Sequence, residues 1–206
     1  MKLLTPISHL FKDKKQVENI IKYSDNLEAR ERTCDLHFEN TTHYHIDFDL
    51  NIGLNNQQLE FLEKHVKPRE HITTLTFQAS RDCEKVTIKD GMYFPNSVII
   101  PIKQQIENTK KTISNIQNIV GSHRVIGIEN NNFYSTGAYN ISTSLDYLLA
   151  VLEFNNLELL FDVAHALVTC ANNSIDYNIY SKELLATGKC NQFHLCQPTY
   201  FYDLNG

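Results

Sequence analysis

Hydrophobic positions along the chain change repeatedly between short runs, typical of strands, and helical spacings of three or four residues. The runs predict strands over residues 2–7, 26–30, 44–50 and 72–77, and three later strands that lead to Glu129, Asp162 and His194. Residues 44–50 alternate apolar and polar side chains, so this strand is expected to have one polar face. Strands and helices therefore alternate along the chain.

Helical stripes fill most of the segments between these strands. The predicted helices begin near Asp13, Asn55, Pro101, Thr143 and residue 181. Pro101 suits the first turn of a helix, and Thr143 with Asp146 resembles a capping box. For residues 81–100 the pattern predicts no element, and a connection of that length is often functional.

The alternation amounts to six or seven βα repeats, which we interpret as one domain spanning residues 1–206. The expected fold is α/β and TIM-barrel-like. An eight-unit barrel takes about 250 residues. We therefore expect a barrel that lacks a full eighth βα unit, or a shortened version of one, with residues 199–202 as a remnant strand. A doubly wound open sheet is the alternative fold.

Three polar residues lie where consecutive parallel strands are predicted to end. Glu129 and Asp162 are 33 residues apart, and Asp162 and His194 are 32 residues apart. One βα unit takes roughly 30 residues or more, so the three residues have the same phase. In an α/β barrel such positions point into one shared site. Carboxylates and imidazoles together are ligands for a divalent metal ion.

Two further histidines are candidate ligands. His165 follows Asp162 at a spacing of three residues, which metal sites on helices use. His45 lies on the same predicted strand face as His43, Asp47 and Asp49. The alternatives are a helix cap for Asp162, core packing for His165 and His194, and a solvated strand face around His45.

Other charged residues are expected at the surface. Glu28, Arg30, Glu31, Arg32 and Glu39 are interpreted as a solvated salt-bridge cluster, in which Glu28 is the best site candidate. The remaining histidines show no phase relation to the strand ends and are expected to be exposed: His9, His37, His65, His71 and His123.

Composition narrows the classes of function. The net charge of −5 argues against a nucleic-acid-binding surface, which usually is basic. No segment has the roughly 18 uninterrupted apolar residues of a membrane span, and the N-terminus lacks a signal-peptide core, so a cytoplasmic location is expected. The five cysteines are scattered and form no CxxC pair, which predicts buried free thiols.

Taken together, the polar motifs resemble a known family. Segment 128–130 (Ile-Glu-Asn), segment 159–173 (L-L-F-D-x-x-H-A-L-V-x-x-A-N-N) and segment 193–195 (Phe-His-Leu) resemble the multinuclear non-haem iron-dependent oxidative enzymes of the methanobactin-biosynthesis type. These are xylose-isomerase-like TIM barrels. The resemblance covers roughly residues 25–196, and residues 44–53 resemble the family's strand with a ligand histidine.

The resemblance implies an iron-dependent enzyme that oxidises a cysteine in a ribosomally made peptide, which a small partner protein presents. Glu129 would bridge the metal ions, and the terminal ligands would be His45, Asp162, His165 and His194. The chain departs from the family at Ala164-His165, where the family has Asn-Asn, and at Gln78, where it usually has a histidine. One to three iron ions are therefore expected, with one or two favoured.

Two other functions remain open from the residues. A non-redox enzyme of the same barrel, such as a sugar isomerase, an epimerase or a hydrolase, would use Mn, Zn or Mg as a Lewis acid and Glu129 or His194 as a general base. A non-catalytic binding module is the third option. An incomplete barrel would also expose a strand edge, which is compatible with a homodimer.

Overall fold

Seven parallel strands form one sheet in which the strand order follows the chain. The structure is a computed structural model and describes residues 2–195. The sheet contains, in spatial order, β1 (Leu4–Pro6), β2 (Asn26–Arg30), β3 (Thr41–Asp49), β4 (Thr74–Gln78), β7 (Val125–Glu129), β8 (Glu158–Asp162) and β9 (Cys190–His194). The remaining two strands, β5 (Val86–Lys89) and β6 (Met92–Pro95), form a separate antiparallel hairpin.

The sheet is curled rather than flat. β2 and β9 are five strand spacings apart, which in a flat sheet is about 24 Å. Yet Oε2 of Glu28 on β2 lies 3.0 Å from Nε2 of His194 on β9. The fold is therefore α/β with a curled parallel half-barrel, as expected, and the doubly wound alternative is wrong because the strand order never reverses. The predicted strand at residues 199–202 lies outside the described residues.

Helices and the sheet enclose the main hydrophobic core. The helices are α1 (Lys14–Lys22), α2 (Asn56–Phe61), α3 (Ile102–Val120), α4 (Leu145–Phe154), α5 (Val163–Asn173) and α6 (Tyr177–Ala186). A π-helical segment, Leu62–Val66, continues α2. Alternate strand residues, such as Ile46 and Ile128, belong to this core with helix residues such as Tyr147 and Leu184. None of the helices within residues 2–195 is long and apolar enough to cross a membrane.

Several boundaries differ from the expected ones. α4 is capped by Ser144, whose hydroxyl accepts from the N–H of Tyr147, while the Thr143 hydroxyl donates to a carbonyl instead. α6 begins at Tyr177, and the segment after Asp162 is a full helix, α5. The connection over residues 81–100 contains the β5–β6 hairpin, which turns at Asp90 and Gly91 with positive φ at both.

A buried aspartate fixes the loop that follows β7. The carboxylate of Asp82 accepts hydrogen bonds of 2.7 Å from the backbone N–H groups of Ile141 and Ser142. The Tyr139 hydroxyl accepts from the N–H of Tyr93 on β6 at 2.7 Å, which ties the hairpin to the same loop. The hairpin follows β4 in the chain and the loop follows β7, and these hydrogen bonds hold the two segments together. The four cysteines within residues 2–195 are free, with Cys83 and Cys170 buried and the others half-buried.

Candidate metal centre

The alternation of each strand decides which side chains enter the inside of the curled sheet. Leu27 and Ala29 of β2 face the helix-covered core, so Glu28 lies on the opposite, inner face. The same alternation places polar residues of the other strands on that face: His45, Asp47, Gln78, Glu129, Asp162, Gln192 and His194. Many of these residues come at or near the last residue of a strand, so they gather at one end of the sheet.

Glu129 occupies the middle of this group and is 2% exposed. Its Oε1 lies 3.0 Å from Nδ1 of His194 and 3.8 Å from Nδ1 of His165. Its Oε2 lies 3.4 Å from Nε2 of His45 and accepts from the Gln78 amide at 3.3 Å. Burial raises the pKa of Glu129, but the charge of His45 and the hydrogen bond with His194 outweigh burial and lower it. The carboxylate is therefore ionised at neutral pH.

Asp162 and His165 are held in place by Asn130 at the end of β7. The Asn130 side chain forms a pair of hydrogen bonds with the backbone of Asp162, accepting at 2.8 Å and donating at 2.9 Å. Oδ1 of Asp162 caps α5 by accepting from the N–H of His165 at 2.8 Å. Nδ1 of His165 lies 2.9 Å from the carbonyl oxygen of Asn130, which can only accept. The neutral His165 ring therefore keeps Nε2 as its lone-pair nitrogen.

His194 lies between two carboxylates. Its Nδ1 is 3.0 Å from Oε1 of Glu129, and its Nε2 is 3.0 Å from Oε2 of Glu28. Burial lowers the pKa of His194, but hydrogen bonds to Glu129 and Glu28 outweigh burial and raise it to about 9. Burial likewise raises the pKa of Glu28, but the hydrogen bond and charge of His194, with the charge of Arg30, lower it to about 2. At neutral pH, and without a metal ion, the His194 ring is therefore an imidazolium.

His45 on β3 also belongs to the cluster around Glu129. Its Nδ1 lies 3.0 Å from the Thr76 hydroxyl, and its Nε2 is 3.4 Å from carboxylate oxygens of both Asp47 and Glu129. The ring also meets the ring of His194 edge to face at a centroid distance of 5.3 Å. His45 therefore contacts Glu129 on the side opposite to Asp162.

The donor set suits a divalent cation. One ligand atom each from Glu129, Asp162 and His165 lies within 4.8 Å of the other two. Nδ1 of His194 adds a fourth candidate, 3.8 Å from Oδ2 of Asp162. Imidazole suits Fe and Zn, and carboxylate suits Mn, so a mixed set of these ligands fits a divalent ion such as Mn, Fe, Co or Zn. His194 must lose a proton before it binds a metal, and Glu28 would then accept the remaining Nε2–H.

The five residues named from the sequence are brought together, although their roles remain predictions. Glu28 joins them, so the interpretation of a solvated cluster is wrong for this residue, which is 2% exposed. His43 is half-buried on the same strand face as His45, and its Nδ1 lies 2.8 Å from the Thr42 hydroxyl. Asp49 instead pairs with Arg81 at 3.2 Å. Gln78, which the sequence did not indicate as a partner of Glu129, also joins the group through its amide. Of the histidines expected at the surface, His65 is half-buried against Phe61 and the others are exposed.

Comparison with known proteins supports the fold. No protein-family model and no curated protein sequence matches the chain. Among solved structures, an apo 3-keto-D-glucoside 4-epimerase from E. coli superposes with a TM-score of 0.56 at 11% identity, covering 98% of this chain and 94% of that one. A D-allulose 3-epimerase from Methylomonas sp. gives a TM-score of 0.59 at 15% identity, covering 94% and 72%.

A D-tagatose 3-epimerase-like protein gives a TM-score of 0.57 at 14% identity, covering 95% of this chain and 76% of that one. At such low identities the likeness shows the fold alone, which is α/β and TIM-barrel-like. Two of these three structures are named as sugar epimerases and the third as epimerase-like, and none of the three is named as an iron-dependent oxidative enzyme.

Proposed function

We propose that this protein is a divalent-metal-dependent isomerase or epimerase that acts on a small hydroxy-carbonyl compound such as a sugar. The observation that carries the proposal is the meeting of Glu129, Asp162, His165 and His194 at the carboxyl ends of parallel strands. This is the end at which barrel enzymes place their active sites. The similar solved structures, which are named as sugar epimerases, support this reaction class over peptide oxidation.

The residues fit a proton transfer next to a carbonyl group. A bound divalent ion would act as a Lewis acid toward the oxygen atoms of the substrate. The two oxygens of Glu129 have different surroundings, since Oε1 faces His165 and His194 while Oε2 faces His45 and Gln78. One oxygen can therefore serve as a ligand while the other accepts a proton from carbon. Return of that proton to the neighbouring carbon on the same face gives an isomerisation, whereas inversion at the same carbon needs a second acid on the opposite face; neither reaction is a net oxidation.

Exchange of a substrate proton with solvent tests this function. The protein is incubated in D₂O with Mn, Co or Mg and a panel of ketoses that includes D-allulose and D-fructose, and NMR follows deuterium at the carbon next to the carbonyl. We expect metal-dependent exchange without oxygen consumption. Glu129→Gln should lower the exchange rate by about 100-fold or more, the range typical of loss of a general base.

Glu158→Gln is the matched control, because Glu158 is the first residue of β8 and lies at the opposite end of the sheet. Equal loss of exchange in both variants would contradict the role of Glu129. Oxygen consumption with iron and a cysteine-containing peptide, but no exchange with any sugar, would overturn the proposal in favour of the oxidative enzyme. The peptide substrate, the small partner protein and the homodimer remain predictions.

A further inference from the structure

Arg30 brings a permanent positive charge to the edge of the candidate metal centre. It is the last residue of β2, and because its neighbour Ala29 belongs to the helix-covered core, Arg30 lies on the inner face of the sheet. Nη2 of Arg30 is 3.3 Å from Nε2 of His194. The other nitrogen of that ring contacts Glu129, so one imidazole ring separates the guanidinium from the central carboxylate.

A buried carboxylate holds one nitrogen of the guanidinium and leaves the other two open. Oε1 of Glu28 lies 2.6 Å from Nη2 of Arg30, and the side chains are 2% and 29% exposed, respectively. Nε and Nη1 of Arg30 have no hydrogen-bond partner within residues 2–195, and neither atom is shut off from solvent. A ligand that enters the centre can therefore reach both donors.

A substrate that covers these two donors must replace the water around them. Arginine remains charged and can only donate. Glu28 is already shared with His194, and the second carboxylate near Arg30, Asp47, pairs with the exposed Arg32 at 3.2 Å. Neither carboxylate can turn to the open donors without leaving its present partner. The group that best replaces the water is therefore an acceptor with a negative charge.

The charge of the centre does not oppose such a group once a divalent ion is bound. The ion balances the two carboxylates among the candidate ligands, Glu129 and Asp162. The two ion pairs of arginine with carboxylate beside them are neutral as well. An anionic group at Nε and Nη1 of Arg30 therefore meets a local positive charge and no net repulsion.

We propose that Arg30 binds an oxyanionic group of the substrate, which makes the substrate a hydroxy-carbonyl compound with a carboxylate or a phosphate. This inference rests on the function proposed above and adds the charge of the substrate to it. Because one imidazole ring lies between Arg30 and Glu129, the anionic group is a few carbon atoms away from the carbon that exchanges its proton. A ketose with a charge at its far end fits this separation.

Three ketoses with the same carbonyl end test the proposal. D-fructose is neutral, D-fructuronate ends in a carboxylate, and D-fructose 6-phosphate ends in a phosphate. Calorimetry measures their affinities for the Mn-loaded protein at one ionic strength. We expect wild type to bind a charged ketose about tenfold more tightly than D-fructose, the factor for one charge-assisted hydrogen bond. The tighter of the two charged ketoses assigns the group to sugar acids or to phosphate esters.

Arg30→Gln should abolish this preference, whereas Arg30→Lys should keep part of it, because lysine retains the charge and the pair with Glu28. Arg32→Gln is the matched control: it removes the same charge from an exposed residue two positions later and should keep the wild-type preference. Wild type that binds all three ketoses equally, or neither charged one, would overturn the proposal. So would an unchanged preference in Arg30→Gln.

The failure of this inference differs from the failure of the proposed function, which deuterium exchange reports. A preference for charged ketoses that depends on Arg30, without exchange in any ketose, would support the anion site and contradict the isomerase. Exchange in D-fructose, without any preference for the charged ketoses, would support the isomerase and overturn the anion site.

Discussion

Two carboxylates share the imidazole of His194, and this arrangement links the protonation of one candidate ligand to the stability of the fold. Glu28 and Glu129 each lie 3.0 Å from one of its ring nitrogens. Without a metal ion the ring stabilises the fold as a cation between two anions. With a metal ion the same ring is needed as a neutral ligand, held by Glu28 through the other nitrogen.

The metal-free protein should lose stability in mild alkali. The pKa of His194 is raised from 6.5 to about 9, so its contribution is fully present below pH 6.5 and is lost as the pH rises through 9. We expect the free energy of unfolding to fall by about 3 kcal/mol over this range, since one pKa unit corresponds to about 1.4 kcal/mol. Urea unfolding between pH 6 and 10 measures it, and His194→Gln should flatten the profile. An unchanged slope in that variant would contradict the pairing.

Loss of stability in acid should follow Glu28. Its pKa is lowered from 4.5 to about 2, so its contribution to stability is present above pH 4.5 and is lost as the pH falls toward 2.

Glu28→Gln removes this charge and leaves His194 without one of its partners. We expect it to weaken Mn binding by about 10- to 100-fold, the range found for carboxylates that orient a ligand histidine.

Calorimetric titration with Mn measures this effect of Glu28 directly. Glu158→Gln is the control, because Glu158 is a half-buried glutamate but lies at the first residue of β8, at the opposite end of the sheet. A Glu28→Gln variant that binds Mn as tightly as wild type would show that Glu28 does not orient the ligand. Its stability should nevertheless drop, since a buried charge loses its partner.

At the scale of the secondary-structure elements, the alternation of side chains along each strand places the candidate ligands on the inner face of the sheet. The same alternation in β7 places Gly127 on the inner face, two residues before Glu129. A Cβ at this position would lie 3.0 Å from Cγ2 of Thr76 and 3.3 Å from the carbonyl oxygen of Glu158. The glycine therefore allows β4, β7 and β8 to pack closely behind the candidate ligands.

Gly127→Ala should destabilise the protein by about 1–3 kcal/mol, the usual cost of overpacking a filled interior. Adding Thr76→Ser removes the Cγ2 atom and keeps the hydroxyl that contacts His45. The double variant should recover part of the loss, as measured by urea unfolding. If Thr76→Ser brings no recovery in the Gly127→Ala background, the close approach of these two strands is not the cause.

Strand-end residues could be predicted from the sequence because their signal is local and periodic. Glu129, Asp162 and His194 each end an apolar run at the spacing of one βα unit. Glu28 could not be placed in the same way, since its charged neighbours suggest a solvated segment and only the curl of the sheet brings β2 to β9. Its alternation with Leu27 and Ala29 was the one available signal.

The hairpin was missed for a different reason. Asp90-Gly91 is a strong signal for a tight hairpin turn, and both residues have positive φ in the structure. The flanking strands are short and mostly exposed, so their apolar pattern is weak. Asp82 likewise gave no signal, because its two backbone partners lie about 60 residues later in the chain.

At the scale of the whole molecule, the curled sheet brings candidate ligands from β7, β8, α5 and β9 together at one end. The fold was predictable from the alternation of elements, and the proximity of Glu129, Asp162 and His194 from the phase of the strand ends. A metal ion that binds only to the folded state would stabilise it, by a free energy that grows with the logarithm of its affinity. Removal of the metal by a chelator should therefore lower the melting temperature.

The most direct measurement is metal content by elemental mass spectrometry, on protein purified anaerobically without chelator. It compares wild type with Glu129→Gln and Asp162→Asn, and uses Glu158→Gln and Asp146→Asn as matched controls away from the strand ends. We predict a stoichiometric divalent metal in wild type and both controls, and its loss in both site variants. Wild type that binds no divalent metal when reloaded, or site variants that keep theirs, would contradict the account.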